Sequence, residues 1–271
     1  MKFICPKCSA KLNISDGGSA VCPMRHSYDK SRFGYYNLLL SNTAGTHGDN
    51  REMIEARRAF LDTGAYLPLA NTVAELVDES ISDGGVLLDI GLGEGYYTSH
   101  VANRLLRSGK ECEVLGFDIS KDAVRYAARR CPEASLAVAS AYKMPIADGS
   151  VDVAVNIFSP LAKEETVRVL RKGGSFIMAI PDENHLYGLK CALYKTPYKN
   201  EVQDSKIDGL KLIKSEHVAY TLTLDAPKKI HDLFMMTPYA YRTPKEARER
   251  LLSLNSLTTE VEFIVFVYKK A

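Results

Sequence analysis

"GGVLLDIGLGEGYYTSHVANRLLRSG", residues 84–109, passes from a short apolar run into a helical pattern through three glycines. Val86 to Ile90 reads as a buried strand, Gly91, Gly93 and Gly95 as a turn, and the spacing beyond as a helix to about Leu106. Glycines at such a turn adopt positive φ and let the backbone approach a ligand closely. The spacing Gly91-x-Gly93-x-Gly95 is not the G-x-G-x-x-G of a nicotinamide site, because residue 96 is Tyr. Asp89 before the turn and Glu94 within it would repel a phosphate, so they suit a cationic or neutral ligand better.

Downstream, strands and helices keep alternating. A second strand, "CEVLGFDIS" (112–120), ends on Asp118, placed to accept hydrogen bonds from a ribose diol. The helix "KDAVRYAARR" (121–130) follows, then a third strand, "SLAVASA" (135–141), ending near Ser140. "KMPIADGSVDVAVNIFSP" (143–160), "EETVRVLRKGGSFIMAIP" (164–181) and a final strand, "EVEFIVFVYKK" (260–270), continue the pattern. Such alternation predicts an α/β fold with a doubly wound sheet. Ligands of these sheets sit at the carboxyl ends of strands near the switch point, where Gly93, Asp118 and Ser140 fall. Upstream, Met53, Ala56, Ala59 and Phe60 recur at helical spacing before a stop at Gly64, and Leu67 to Val77 reads as another helix. Residues 41–50, rich in Ser, Asn, Thr, Gly and Asp, read as a loop or linker.

Apolar residues make up 46% of the 271 and charged residues 25%, an ordinary globular balance that gives no sign of disorder. No apolar run approaches the roughly 18 residues of a spanning helix, and the N-terminus lacks a signal-peptide core. The expectation is a cytoplasmic protein with no membrane partner. Six cysteines in such a chain point to metal rather than to a disulfide scaffold. Cys112, Cys131 and Cys191 are scattered and read as buried fillers.

The other three stand apart, in Cys5-x2-Cys8 and Cys22-x3-His26, thirteen residues between the pairs. Each pair can form a tight turn that brings two ligands to one side. Three thiolates and an imidazole with no open position suit tetrahedral structural zinc, not a catalytic one. The intervening "SAKLNISDGGSAV" (9–21) reads as a strand, a turn at Asp16-Gly17-Gly18 and a returning strand, hence a zinc ribbon or knuckle. So short a segment needs the metal for much of its folding free energy. Residues 1–34 carry six basic side chains against Asp16 and Asp29, a net +4, while the other 237 residues sum to −2. That is where a polyanion would be drawn. Tyr35 and Tyr36 beside this segment either stack on RNA bases or pack against the larger part.

"LLDIGLGEGYYT" (87–98), "GFDIS", "MPIADGSVDVAV" (144–155) and "RVLRKGG" (168–174) together resemble the class I S-adenosylmethionine-dependent methyltransferases. With the zinc-ligand spacing, "EARRAFLDTGAYLPL" (55–69), "HLYGLK" (185–190) and "MTPYAYR" (236–242), the chain is similar end to end to the 23S rRNA guanine-N1-methyltransferases. One branch of that family is linked to tylosin resistance. The resemblance implies a Rossmann-like methyltransferase domain over 35–271, a zinc-binding RNA-recognition module over 1–34, and methyl transfer to guanine N1 in a hairpin loop of 23S rRNA. It implies zinc on Cys5, Cys8, Cys22 and His26, S-adenosylmethionine contacts at Tyr66, Gly93, Glu94 and His185, and ribose binding by Asp118. Where the general pattern often has Asp, this chain has Ser140-Ala141. "NIFSP" (156–160) is not the Asn-Pro-Pro-Tyr of amino-group methylases, which agrees with a ring-nitrogen target.

On the residues alone, His185 reads first as a helix cap and Tyr66 as a packing residue. For the proton that must leave guanine N1, Asp89, Glu94, Asp182 and an orienting backbone carbonyl all remain candidates. Two other readings stand beside the rRNA one: a small-molecule methyltransferase, and a non-enzymatic RNA-binding protein that keeps a cofactor pocket. Pairing of two subunits into a homodimer is left open by the sequence.

Overall fold

Val86–Ile90 is a strand with every residue buried, and its side chains alternate between two cores. Leu87 joins a cluster with Phe60, Val73, Val101 and Phe263, whereas Leu88 and Ile90 join another with Phe117, Ile146 and Phe176 on the opposite face. A strand buried on both faces is what a continuous apolar run specifies. The computed structural model describes residues 2–40, 48–202 and 206–271; residues 41–47 of the expected linker lie outside them.

The chain opens with three short strands, β1 (Asn13–Ile14), β2 (Ala20–Val21) and β3 (Ser27–Tyr28), in a small antiparallel sheet. β4 (Tyr36–Asn37), α1 (Arg51–Leu61), α2 (Leu67–Ser80), β5 (Val86–Ile90) and α3 (Tyr96–Arg107) follow. Next come β6 (Glu113–Asp118), α4 (Lys121–Arg130), β7 (Ser135–Val138), β8 (Val151–Ile157), α5 (Lys163–Val169) and β9 (Leu170–Pro181). The last part holds α6 (Tyr187–Leu193), β10 (Leu210–Leu224), α7 (Pro227–Met235), a 3-10 turn (Pro238–Tyr241), α8 (Lys245–Leu252) and β11 (Leu257–Lys270).

The main sheet has the order β10-β11-β9-β8-β5-β6-β7-β4. From β4 to β9 the neighbours are parallel, and β11 runs antiparallel to both β9 and β10. The chain leaves β5 toward β6 and β7, then returns to β5's other side with β8, so the switch point lies between β5 and β8. Local chemistry marks the helix starts around it. Asn50 accepts from the Met53 N–H at 3.0 Å ahead of α1, and Ser120 accepts from the Ala123 N–H at 3.3 Å ahead of α4.

The expected hairpin of the N-terminal segment forms, closed by hydrogen bonds from Ser15 N to Ser19 O and from Gly18 N to Ser15 O. It does not stand clear of the rest. Phe3, Leu12 and Ala20 belong to the same buried cluster as Leu88, Phe117 and Ile146, and the Ile4 N–H donates to Pro145 O. Tyr35 and Tyr36 pack, at 3% and 5% exposure, which excludes stacking on RNA by either. Cys131 is the buried filler expected, but Cys112, just before β6, is half-buried and Cys191 lies on the exposed side of α6.

Candidate active site and metal centre

Two turns build the N-terminal cluster. Ser9, just after Cys8, and Arg25, just before His26, both hold left-handed backbone, and the Arg25 N–H closes its turn onto Cys22 O. The four ligand atoms all lie within 4.8 Å of one another. Cys8 Sγ is 3.7 Å from Cys22 Sγ, and His26 Nδ1 is 3.4 Å from both Cys5 Sγ and Cys22 Sγ. Tetrahedral zinc, with Zn–S of about 2.3 Å and Zn–N of about 2.0 Å, sets its ligands about 3.8 Å (S to S) and about 3.5 Å (S to N) apart. The donor set and its spacing fit that ion. Burial pushes the Cys5 thiol up, but hydrogen bonds from the Tyr28 hydroxyl and the backbone of Cys8 and Lys7 outweigh it and bring the pKa down to about 6.

At the carboxyl ends of β5 to β8 lies a cleft of about 870 Å³. Of the residues singled out from the sequence, Tyr66, Asp89, Gly91, Gly93, Glu94, Asp118, Ser140 and His185 all line it. Gly95 does not. Its Cα faces α4, where a Cβ would meet Ala127 and Cys131 at 3.1 and 3.2 Å, so that glycine serves helix packing. Asp182 is also outside the lining and lies 3.4 Å from His217.

Gly91 and Gly93 hold φ of +75 and +58. A Cβ on Gly93 would point into open space, with only Arg57 Nη1 near, at 3.9 Å. Asp118 is oriented by the Gly93 N–H (3.0 Å) and the Ser120 N–H (2.8 Å), and burial raises its pKa against those two bonds. Asp89 accepts from Thr98 Oγ1 at 2.6 Å, and burial pushes its pKa up to about 7. Glu94 is likewise pushed up to about 7 by burial, against the pull of Arg130. Arg130 Nε lies 3.0 Å from Glu94 Oε2, yet neither carboxylate oxygen receives a hydrogen bond among the described residues. A buried carboxylate without donors is matched by a ligand that brings N–H, O–H or positive charge.

His185 holds a defined tautomer. The Glu262 N–H donates to its Nδ1 at 3.2 Å, which leaves the proton on Nε2, 3.4 Å from the Tyr66 hydroxyl. Burial drops the ring's pKa to about 3, so the imidazole is neutral. The Tyr66 hydroxyl, buried and held up in pKa, keeps its own proton to donate.

Sequence reasoning missed the cleft's aromatic side. Phe158, Tyr194, Tyr198, Tyr239 and Tyr241 line it, with Arg242 beside them. The paired tyrosines of "MTPYAYR" were the available signal. It also missed a basic surface where Arg32, Arg125 and Arg129 surround the Phe33 ring at 4.8, 4.4 and 5.2 Å. Among the described residues none of the three is ion-paired, in contrast to Arg130 and Arg57.

A family described as "Methyltransferase domain" matches residues 87–174, and one described as "RlmA, N-terminal" matches residues 3–43. The 23S rRNA (guanine(748)-N(1))-methyltransferase of Streptomyces fradiae is 33% identical, over 96% of this chain and 95% of its own. YxjB of Bacillus subtilis strain 168, provisionally named a 23S rRNA (guanine-N(1)-)-methyltransferase, is 30% identical over 97% and 96%. Among solved structures, the YcgJ protein of Bacillus subtilis gives a TM-score of 0.49 at 15% identity, covering 74% of this chain and 98% of that one.

Proposed function

The chain belongs to the 23S rRNA (guanine-N1)-methyltransferase family, and we propose that it transfers a methyl group from S-adenosylmethionine to N1 of a guanine in a hairpin loop of 23S rRNA. The observation that carries this reading is a 33% identity that covers 96% of this chain and 95% of the relative. Held in the cleft by the residues below, the cofactor would supply an electrophilic methyl carbon to guanine N1, with the sulfonium becoming a neutral thioether and the N1 proton passing to water.

The chain's part is binding and electrostatics. In the arrangement we infer, Asp118 accepts from the ribose hydroxyls, held in place by two backbone N–H groups. Gly93 keeps a side chain out of the ligand's path, and Gly91 leaves room for the Ser159 side chain to close against the turn. Asp89 and Glu94 face the cofactor's cationic groups, which bring the hydrogen-bond donors that the Glu94 oxygens lack among the described residues. Tyr66, steered by neutral His185, donates its proton to a ligand acceptor, and Ser140 lies at the adenine end. Gly95, at φ +85, turns the chain into α3 and lets α3 and α4 meet.

One structural zinc sits on Cys5, Cys8, Cys22 and His26, with no coordination position left for chemistry. Residues 1–34 are the RNA-recognition part and 35–271 the methyltransferase part. Charge supports the division, since Lys7, Lys11, Arg25 and Lys30 are all exposed and none is ion-paired among the described residues. The work takes place where ribosomal RNA is made and used, in the cytoplasm. No helix among the described residues is long and apolar enough to cross a membrane. Incubating the purified chain with labelled S-adenosylmethionine and 23S rRNA, followed by nucleoside analysis, should give 1-methylguanosine. Label on another base, or on none, would contradict the proposal.

A further inference from the structure

Large aromatic side chains are seldom left in water, because hiding them is worth so much. Among the described residues the exposed ones are Tyr142 (69%), Phe158 (42%), Tyr198 (54%) and Tyr241 (64%), and all four line the one cleft. Tyr142 follows Ser140 at the end of β7, on the cofactor's side. The other three come from separate elements: the loop after β8, the loop after α6 and the 3-10 turn.

Phe158 is held there against its own preference. Its φ is +58, a left-handed conformation that a bulky residue adopts only where its surroundings impose it. Ser159 imposes it by donating to Ile90 O at 2.8 Å, which ties the loop to the end of β5 beside the glycine turn. The ring then leans on Phe263, 5.1 Å away between centroids. Tyr198 is fixed from beneath. Fully buried Lys190 donates to Tyr198 O at 3.0 Å and to Asn200 Oδ1 at 2.6 Å, with its Nζ 4.5 Å from the Tyr198 ring centroid. Asn200 in turn donates to His185 O at 3.1 Å, coupling this wall to the cofactor side. Three rings are thus presented to solvent by a costly backbone, a buried cation and a short turn, the last with the Tyr241 hydroxyl donating to Met53 Sδ.

We infer that these rings form the cradle for the target nucleotide, with Phe158 stacking on the guanine and Tyr198 and Tyr241 closing around it. The inference rests on the functional reading above and deepens it. A base in a helix cannot reach a cofactor inside a cleft, so it must be unstacked, and aromatic faces replace the stacking it loses. Phe158 is the one of the three whose loop is tied to the end of β5 beside the glycine turn, through Ser159 and Ile90 O.

The test is methyl transfer to a 23S rRNA hairpin fragment by the full chain and by Phe158→Ala, Phe158→Tyr, Tyr198→Ala and Tyr241→Ala. S-adenosylhomocysteine affinity is measured by calorimetry on each. Each alanine variant should bind S-adenosylhomocysteine as the wild type does and lose roughly 5- to 150-fold in kcat/KM for RNA, the range of one stacked base. Phe158→Tyr should restore the rate. With 2-aminopurine beside the target guanine, the fluorescence change on binding should survive in all variants; at the target position it should be lost in Phe158→Ala. Alanine variants that keep cofactor affinity and methylate at the wild-type rate would overturn the inference. So would loss of cofactor affinity in all three, which would make the rings structural. A wild type that binds S-adenosylhomocysteine but methylates no RNA would overturn the functional reading and the cradle with it.

Discussion

At Gly93 the backbone holds φ of +58 and nothing but Arg57 lies near the place of a Cβ. A branched side chain there would occupy the cleft and strain the turn, so Gly93→Val should abolish S-adenosylhomocysteine binding in calorimetry while the melting transition persists. Asp89 and Glu94 give a second residue-level expectation. Both have folded pKa values raised to about 7 from the ordinary carboxylate range, so between pH 4 and 7 the folded state binds more protons than the unfolded one. Stability from these groups is therefore full below about pH 4 and lost as pH rises through about 7, on the order of 3–4 kcal/mol for each. A cationic ligand opposes that loss by favouring the ionised carboxylates, so S-adenosylmethionine affinity should rise between pH 6 and 8 with release of protons. Calorimetry in buffers of different ionisation enthalpy would measure it; an Asp89→Asn/Glu94→Gln variant should show neither effect. Gly93 and Asp118 were legible in the sequence because strand, turn and acid are contiguous with their elements. Phe158 was not, since its left-handed backbone is imposed by Ser159 and Ile90, which no local pattern records.

Elements differed in the same way. α4 matches its sequence reading residue for residue, with a Ser cap and a basic last turn. β10 is an edge strand whose first half is exposed and polar, which hides its start, but Val218, Tyr220, Leu222 and Leu224 alternate with more exposed neighbours, so its second half was legible and went unread. The zinc-bearing hairpin was legible from ligand spacing alone. Metal analysis should find one zinc per chain, and Cys8→Ala, at an exposed ligand, should release it without opening a cavity. A metal content near zero in chelator-free protein would contradict the centre. On α4, Arg125 and Arg129 meet Arg32 around Phe33, joining the N-terminal segment to the larger part. Unneutralised guanidinium groups brought together in this way are matched by phosphates. Replacing Arg125 and Arg129 by Gln should flatten the salt dependence of rRNA binding, by about 0.7 in slope for each phosphate no longer neutralised. An unchanged slope would move the backbone path elsewhere.

For the whole molecule, the division of labour read from charge does not extend to separability. Deleting residues 1–34 would strip Phe3, Leu12 and Ala20 from the cluster that also holds Leu88 and Phe117, at a cost of about 1.5–3 kcal/mol for each large side chain. The RNA-reading role is better tested by replacing exposed Lys7, Lys11, Arg25 and Lys30 with Ala, which leaves core and metal intact. That variant should bind S-adenosylhomocysteine normally and rRNA weakly, with a flatter salt slope. The shared core was illegible in the sequence because Phe3 and Leu12 are ordinary apolar residues whose partners lie far away in the chain. The central claim, methyl transfer to N1 of one loop guanine, is tested most directly by mass mapping of 23S rRNA from cells with and without the gene. One guanine of a hairpin loop should carry an added N1 methyl only when the gene is present; identical maps, or a methyl on another atom or nucleotide, would contradict the account.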